Sequence, residues 1–293
     1  MKTKQLIFAM CCVAAMASCS NEEPLTEVTQ QAKQVSLTLT YGDGADTRTS
    51  FKVSDTGLEH VWTAGDKVHL SYSGSSGLKT FGILELSTGA GTKTATFSGE
   101  ISDWADGETK KIDVKYGPLN ADNTEMDWST QEGKLESLGK YEIIYYPNVV
   151  ATLNGDKISV SEIQSTIYKS TFIYLPKGLK ILESGSGEAT LSMESSQFAS
   201  KHHLSSNDWT RAASRAPGGV PITAPVTLEN GNLASDVYLA ACSVWNGSND
   251  VSFGLSFGEK NYQVNLNKTF ENGMLYTVTQ SVIDAVGGFQ ETK

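Results

Sequence analysis

The sequence predicts an all-β protein with two tandem β-sandwich domains. Short segments alternate apolar and polar residues, which is the period of a half-buried strand. Clusters of Gly, Ser and Asp separate these segments. Charged residues make up only 19% of the 293 residues, which include 27 glycines. A chain of this length can bury two modest cores.

The first strand is predicted at residues 34–41. Its two faces differ, with Val35, Leu37, Leu39 and Tyr41 on the apolar side and Ser36, Thr38 and Thr40 on the polar side. Residues 42–48 are mostly turn formers with little to pack. We therefore expect a strand tied to its domain by an exposed connection that ends at Arg48.

The remaining strands divide into two sets. A turn at residues 154–156 separates them, so we predict domains at 34–155 and 156–293. Helix is scarce, with one or two turns expected at residues 161–167. Two hairpins are predicted, at 257–262 and at the Asn-Gly pair 272–273. The predicted strands are 67–73, 79–86, 93–98, 111–116 and 141–146, then 167–175, 179–182, 189–194, 220–228, 236–244, 251–257, 261–266 and 274–282.

The N-terminus reads as an export signal. Lys2 and Lys4 precede an apolar run at 6–16, which is too short to cross a bilayer core of about 30 Å. The run ends in Ala-Ser-Cys, which resembles a bacterial lipobox and predicts a lipid on Cys19; an ordinary secretory signal cut elsewhere is the alternative. Residues 1–18 are then a lipoprotein signal peptide and residues 19–33 a flexible tether. Two or three acyl chains would anchor the protein on the cell outer membrane.

Composition argues against several classes of protein. The net charge of −10, or about −12 without Lys2 and Lys4, disfavours nucleic acid as a partner. No hydrolase elbow, phosphate-binding loop or zinc motif occurs, so neither an enzyme nor a cofactor or metal site is predicted. After processing only Cys242 remains, and its apolar strand favours a core residue. The adjacent His202 and His203 are expected in a loop.

Two segments resemble the fimbrillin family, the lipoprotein subunits of type V pili. They are Thr-Arg-Thr-Ser at 47–50 and Trp-x-x-Gly-Asp-Lys-Val at 62–68. The C-terminal half is similar in its Val-Tyr-Leu strand at 237–239 and in Gly273 and Tyr276. The resemblance implies transthyretin-like sandwiches and a role in a surface pilus and in cell adhesion.

The same resemblance implies a route of assembly. An Arg-directed maturation protease would cut between Arg48 and Thr49 and remove the first strand. A strand from another pilus subunit would then fill the groove. The donor stays open: residues 275–286 alternate at Tyr276, Val278, Val282 and Val286, but polar residues interrupt the pattern, so this tail could equally stay in its own sheet. Arg211 and Arg215, the other two arginines, lie at residues 210–219, which are expected to form an exposed loop.

A surface lipoprotein that binds glycans is the alternative. Trp104, Trp128 and Trp209 lie in polar stretches, where an indole could stack on a sugar. Trp62, which precedes a Gly-Asp turn, is assigned to the core.

Overall fold

Strands dominate the computed structural model, which confirms the all-β prediction. The residues from Gln31 to the C-terminus form one compact unit. The structure describes residues 32–40, 50–54, 57–74, 77–162, 168–204, 206, 208–213, 218–245, 250–268, 270 and 274–292.

The first half of the described chain contains ten strands and one short helix, α1. A single turn of 3₁₀ helix, Gly139–Tyr141, follows α1. The elements are β1 (Lys33–Thr40), β2 (Ser50–Ser54), β3 (Gly57–Val61), β4 (Lys67–Gly74), β5 (Gly77–Thr88), β6 (Thr94–Ile101), β7 (Thr109–Tyr116), β8 (Glu125–Asp127), α1 (Leu135–Leu138), β9 (Ile144–Asn154) and β10 (Lys157–Glu162).

Seven of these strands close into a ring of backbone pairing. The order round the ring is β1, β6, β5, β4, β7, β9 and β10, and β10 returns to β1. Every pairing is antiparallel except that of β1 with β10. Closure removes the free edges that an open sheet would present.

The second half contains ten further strands and one helix. They are β11 (Tyr168–Leu175), β12 (Gly187–His203), β13 (Asp208–Ala212), β14 (Ile222–Glu229), β15 (Asn232–Leu233), β16 (Val237–Ser243), β17 (Asp250–Phe257), β18 (Lys260–Asn267), β19 (Leu275–Thr277), α2 (Gln280–Ala285) and β20 (Gln290–Thr292). The seventeen-residue β12 organises them. Its first part pairs with β14 and β17, and after an irregular register beyond Ser195 it pairs with β13, β16 and β8.

Two large apolar clusters fill the interior, beside a small third cluster of Leu138, Phe172 and Ala240. One lies inside the ring and includes Leu37, Phe97 and Ile158; the other lies among β11 to β18 and includes Phe198 and Phe253. The turn at residues 155–156 joins β9 to β10 as a hairpin, and Ile158 packs in the first cluster. This turn is therefore internal to the first cluster and does not link the two clusters.

Several predicted elements need correction. Residues 179–182 form no strand beyond an isolated bridge at Lys180. The strand expected at 141–146 starts at Ile144 and runs to Asn154. Of the helix expected at 161–167, residues 161 and 162 belong to β10 and the rest lie outside the described residues, as does the Asn-Gly pair 272–273. The hairpin at 257–262 is confirmed by pairing of Phe257 with Lys260.

The motif at residues 62–68 makes a turn that fixes an aromatic cluster. The Asp66 carboxylate accepts hydrogen bonds from the Thr63 N–H (2.7 Å) and the Tyr116 hydroxyl (3.1 Å). Gly65 has φ of +88°, which L side chains rarely adopt. Trp62 is buried and meets Phe97 and Tyr116 edge to face, with ring centroids 4.8 and 5.5 Å away. These contacts explain the spacing of Trp, Gly and Asp.

A polar junction lies between the two clusters. Lys115 of β7 places its Nζ 3.3 Å from Nε2 of His202 on β12, and both side chains are buried. His69 lies opposite Lys115 across the β4–β7 ladder, and Trp209 stacks on His202 with ring centroids 3.8 Å apart. Burial, aided by the charge of Lys115, lowers the pKa of His69 to about 4 and that of His202 to about 3. Burial also lowers the pKa of Lys115 to about 8.

This junction predicts that stability falls on mild acidification. In the unfolded chain the two imidazoles bind protons below about pH 6.5, whereas the folded protein keeps them neutral. The free energy of unfolding should therefore decrease as the pH falls from 6.5 to 5, by at most about 1.4 kcal/mol per pH unit for each histidine. Urea unfolding followed by tryptophan fluorescence at several pH values measures this slope.

The matched variants are His69→Gln and His202→Gln. Each should reduce the change in unfolding free energy per pH unit between pH 6.5 and 5, and the double variant should reduce it most. The contribution of the carboxylates should be the same in the parent protein and in all three variants. A double variant with the slope of the parent protein would show that these histidines are not the source.

Candidate assembly site around the first strand

Strand β1 is held along both edges. On one side it pairs antiparallel with β6 over its whole length, from Lys33 opposite Ile101 to Thr40 opposite Thr94. On the other side it runs parallel to β10, where the Ser36 N–H donates to the Asp156 carbonyl at 2.7 Å. β1 thus completes the ring, and we call β1, β6 and β10 together the β1 seat.

Three apolar side chains anchor β1 in the core. Val35, Leu37 and Leu39 are 2%, 0% and 4% exposed. Across the ladder, Leu37 lies opposite Phe97 and Leu39 opposite Ala95, both of which are buried. Complete burial of a side chain of this size contributes about 1.5–3 kcal/mol. The predicted alternation of the first strand is confirmed at Val35, Leu37 and Leu39, and the strand begins one residue earlier than predicted, at Lys33; Tyr41 lies outside the described residues.

The other face of β1 is polar and exposed. The Thr38 and Thr96 hydroxyls lie 3.0 Å apart, and Thr94 donates to Thr40 at 3.2 Å. At the start of the strand Lys33 forms an ion pair with Asp106 at 3.6 Å, with side-chain exposures of 36% and 67%. Such surface contacts contribute little, so the backbone ladder and the three buried side chains dominate retention of β1.

The predicted processing residues lie outside the described part of the chain. These are Cys19, Arg48 and Thr49. Strand β1 ends at Thr40 and strand β2 begins at Ser50. A cut between Arg48 and Thr49 would therefore fall between these two strands.

Arg211 differs from the exposed loop residue expected from the sequence. It lies in β13, paired with Ala199 of β12. Its guanidinium lies over the Trp245 ring, 4.1 Å from the centroid, and donates to the Ser196 carbonyl. A protease needs an extended, accessible segment, so the ladder and the stacked side chain protect this arginine. Arg215 lies outside the described residues.

The tryptophans considered for glycan binding pack inward. Trp104 is buried against Phe81 and donates from Nε1 to the Glu108 carbonyl (2.9 Å). Trp128 is buried and donates to the Tyr141 carbonyl (2.7 Å). Trp209 is half-buried between the rings of His202 and Trp128. Burial leaves no open ring face for a sugar on Trp104 or Trp128, and Trp209 lies in strand β13 and not in a loop.

The C-terminal residues differ from the alternating strand considered as a donor. Within residues 275–286 the strand is limited to Leu275–Thr277, which runs parallel to β11, and helix α2 follows. Val278, just after the strand, and Ile283, in the helix, are both buried in the second cluster. Gly287 and Gly288, at φ of +88° and +73°, follow the helix. In this structure the tail is therefore part of its own domain.

Chemical groups of other kinds are sparse in the described residues. No group of three or more His, Cys, Asp or Glu side chains there is arranged to hold a metal ion. Cys242 lies buried in β16, where burial raises the pKa of its thiol; a protonated, inaccessible thiol is unreactive. Nor do the described helices include one long and apolar enough to cross a membrane.

Comparison with known proteins gives structural neighbours only. No family model and no curated protein matches the chain. Similar solved structures include a provisionally assigned cell adhesion protein from Bacteroides ovatus, at 9% identity and a TM-score of 0.41, covering 90% of this chain and 96% of that one. A fimbrial assembly protein from Parabacteroides distasonis has 13% identity and a TM-score of 0.36, covering 85% and 91%.

The tip fimbrial protein Mfa3 from Porphyromonas gingivalis, with a C-terminal truncation, has 9% identity and a TM-score of 0.34, covering 88% of this chain and 98% of that one. All three neighbours are thus named for fimbriae or adhesion, and none for an enzymatic activity. At these identities and TM-scores the likeness concerns the fold and carries no argument about activity.

The β1 seat predicts a large difference between the two faces of one strand. Leu37→Ala should lower the free energy of unfolding by about 2–5 kcal/mol, because it removes buried methyl groups and leaves a cavity. Thr38→Ala, one residue along on the exposed face, should change it by less than about 1 kcal/mol. Chemical unfolding of both variants measures the difference, and equal effects would contradict the central place of Leu37.

Proposed function

We propose that the protein is a subunit of a cell-surface pilus whose first strand is exchanged for a strand of another subunit. The observation that carries the proposal is the position of β1: it closes the ring, it is paired on both edges, and it inserts three apolar side chains. A terminal strand so placed leaves a groove of defined shape when it is removed. The backbone groups of β6 and β10 would then lack partners, which is costly in a buried setting.

The free energy that β1 contributes by burying its side chains indicates that another strand must replace it after removal. At about 1.5–3 kcal/mol each, Val35, Leu37 and Leu39 contribute about 5–9 kcal/mol. The total stability of a domain is about 5–15 kcal/mol. An open ring would therefore be marginal, and an incoming strand with apolar residues at alternate positions would restore it.

Processing completes the proposed route. The precursor is exported as a lipoprotein with lipid on Cys19 and is held at the outer membrane. A protease with specificity for arginine then cuts between Arg48 and Thr49, which separates the lipid and β1 from the body. Protection of Arg211 in β13 supports Arg48 as the accessible site.

The first test is strand exchange with a synthetic peptide. The protein without its signal is cut with an arginine-specific protease and incubated, in urea below the unfolding midpoint, with a fluorescent peptide of residues 33–40. Cut protein should capture the peptide stably, because the peptide restores both ladders and the buried side chains. Size-exclusion chromatography with fluorescence detection measures capture.

The matched control is the same peptide with Leu37→Asp, which would place an unpaired carboxylate in the core. It should bind at least about tenfold less. Equal capture of the two peptides, or equal capture by uncut protein, would contradict strand exchange.

The second test concerns maturation in cells. Arg48→Ala should leave lipidation and export intact but keep β1 covalently attached, so the cell-surface protein should retain its precursor mass. N-terminal sequencing and mass spectrometry of surface protein make the comparison, with Arg215→Ala as the control that should mature normally. A mature N-terminus unchanged by Arg48→Ala would contradict cleavage at this residue.

A further inference from the structure

The outer face of three neighbouring strands carries a regular lattice of polar residues. β12, β17 and β18 lie side by side, and their registered pairs form three rows across the sheet. The rows are Thr190–Ser256–Asn261, Ser192–Gly254–Gln263 and Glu194–Ser252–Asn265. We call these nine residues the polar lattice; all are exposed or half-buried.

The polar lattice is recessed. Two depressions of about 280 and 450 Å³ both include Glu194, Ser252 and Gln263 in their linings and so meet there. Gly254 occupies the centre, where a Cβ atom would come within 2.4 Å of the Ser192 hydroxyl. Backbone therefore forms the floor, and the combined space is within the range of small-ligand sites.

The residue types are unusual for the exposed face of a sheet. Such positions favour β-branched and aromatic residues, whereas Gly and Asn are depleted from strands. Here Gly254 and Asn265 occupy interior positions of β17 and β18, and Asn261 is the second residue of β18, with serines on the neighbouring strands. Intrinsic strand preference does not account for them.

Hydrogen bonds between side chains of the polar lattice fix the orientation of its carboxamide groups. Asn265 accepts from Ser252 (2.6 Å) and from Gln263 (3.0 Å), and Asn261 accepts from Ser256 (2.7 Å). These bonds engage the carboxamide oxygens of both asparagines. The NH₂ groups of both asparagines and the side-chain oxygen of Gln263 have no side-chain partner within the described residues. Hydrogen-bond donors and an acceptor are therefore available beside one another.

The charge of the polar lattice narrows the ligand class. Glu194 is its one ionisable residue, and it contains no lysine or arginine. A nucleic acid or another polyanion would meet no neutralising charge. A peptide side-chain anchor would need an apolar pocket, and the nine residues present hydroxyl, carboxamide and carboxylate groups instead.

We infer that the polar lattice is a binding surface for a neutral oligosaccharide. Vicinal sugar hydroxyls donate and accept together, as do the carboxamides of Asn261, Gln263 and Asn265. Because no aromatic ring is among the nine residues, we expect weak binding at a single site. Repetition of the surface along an assembly would give avidity. The inference does not require strand exchange, since β1 pairs with β6 and β10 and packs in the first cluster, whereas the inward residues of β12, β17 and β18 pack in the second.

Affinity electrophoresis in native gels that contain α-mannan, amylopectin or mixed-linkage β-glucan tests the site. The protein should be retarded by at least one of these neutral polysaccharides. Gln263→Ala/Asn265→Ala should reduce the retardation at least about fivefold, because it removes two carboxamides from the lattice. Asn267→Ala, on the same strand and face but outside both depressions, is the matched control and should leave the mobility unchanged.

A second variant, Ser252→Val, keeps a good strand former while it removes a hydroxyl and fills the meeting point of the depressions. It should also abolish retardation, and its melting temperature checks that the fold is kept. No retardation by any of the three polysaccharides, or equal retardation of the parent and both lattice variants, would overturn the assignment.

Discussion

Closure of the first ring depends on pairing of one terminal strand along both of its edges. β1 pairs with β6 along one edge and with β10 along the other, and β10 is the last of the seven ring strands along the chain. Its three inward side chains fill the core beside Phe97 and Ile158. Because the backbone ladder and the apolar contacts are made by the same eight residues, they are gained and lost together. This coupling makes β1 a separable element and not simply one strand among seven.

Local pattern was sufficient to predict much of this arrangement. Period-two alternation located β1, and the Gly and Asp residues at 62–68 indicated the turn that orients Trp62. Each of these predictions depends only on residues close together in the sequence, and the structure has the predicted strand and turn at the predicted positions. The hairpin between β17 and β18 was predicted for the same reason.

Other features depend on contacts between distant parts of the chain, and no local signal reports them. The parallel pairing of β1 with β10 joins residues about 120 positions apart. Arg211 and His202 were both expected in loops. Arg211 instead lies in β13 against Trp245, and His202 lies buried in β12 beside Lys115 and Trp209. The alternation of the tail left its role open, because Val278 and Ile283 reach the core through a change from strand to helix that the alternation does not report. The polar lattice likewise requires the register of three strands.

The two neighbours of β1 run in opposite directions, one antiparallel and one parallel to it. The seat therefore distinguishes the two orientations of any strand that enters it, since reversal would exchange the two hydrogen-bonding patterns. If each subunit receives its strand in this way, all subunits along a fibre must point the same way. Such a fibre has unlike ends, and growth at one end is chemically distinct from growth at the other.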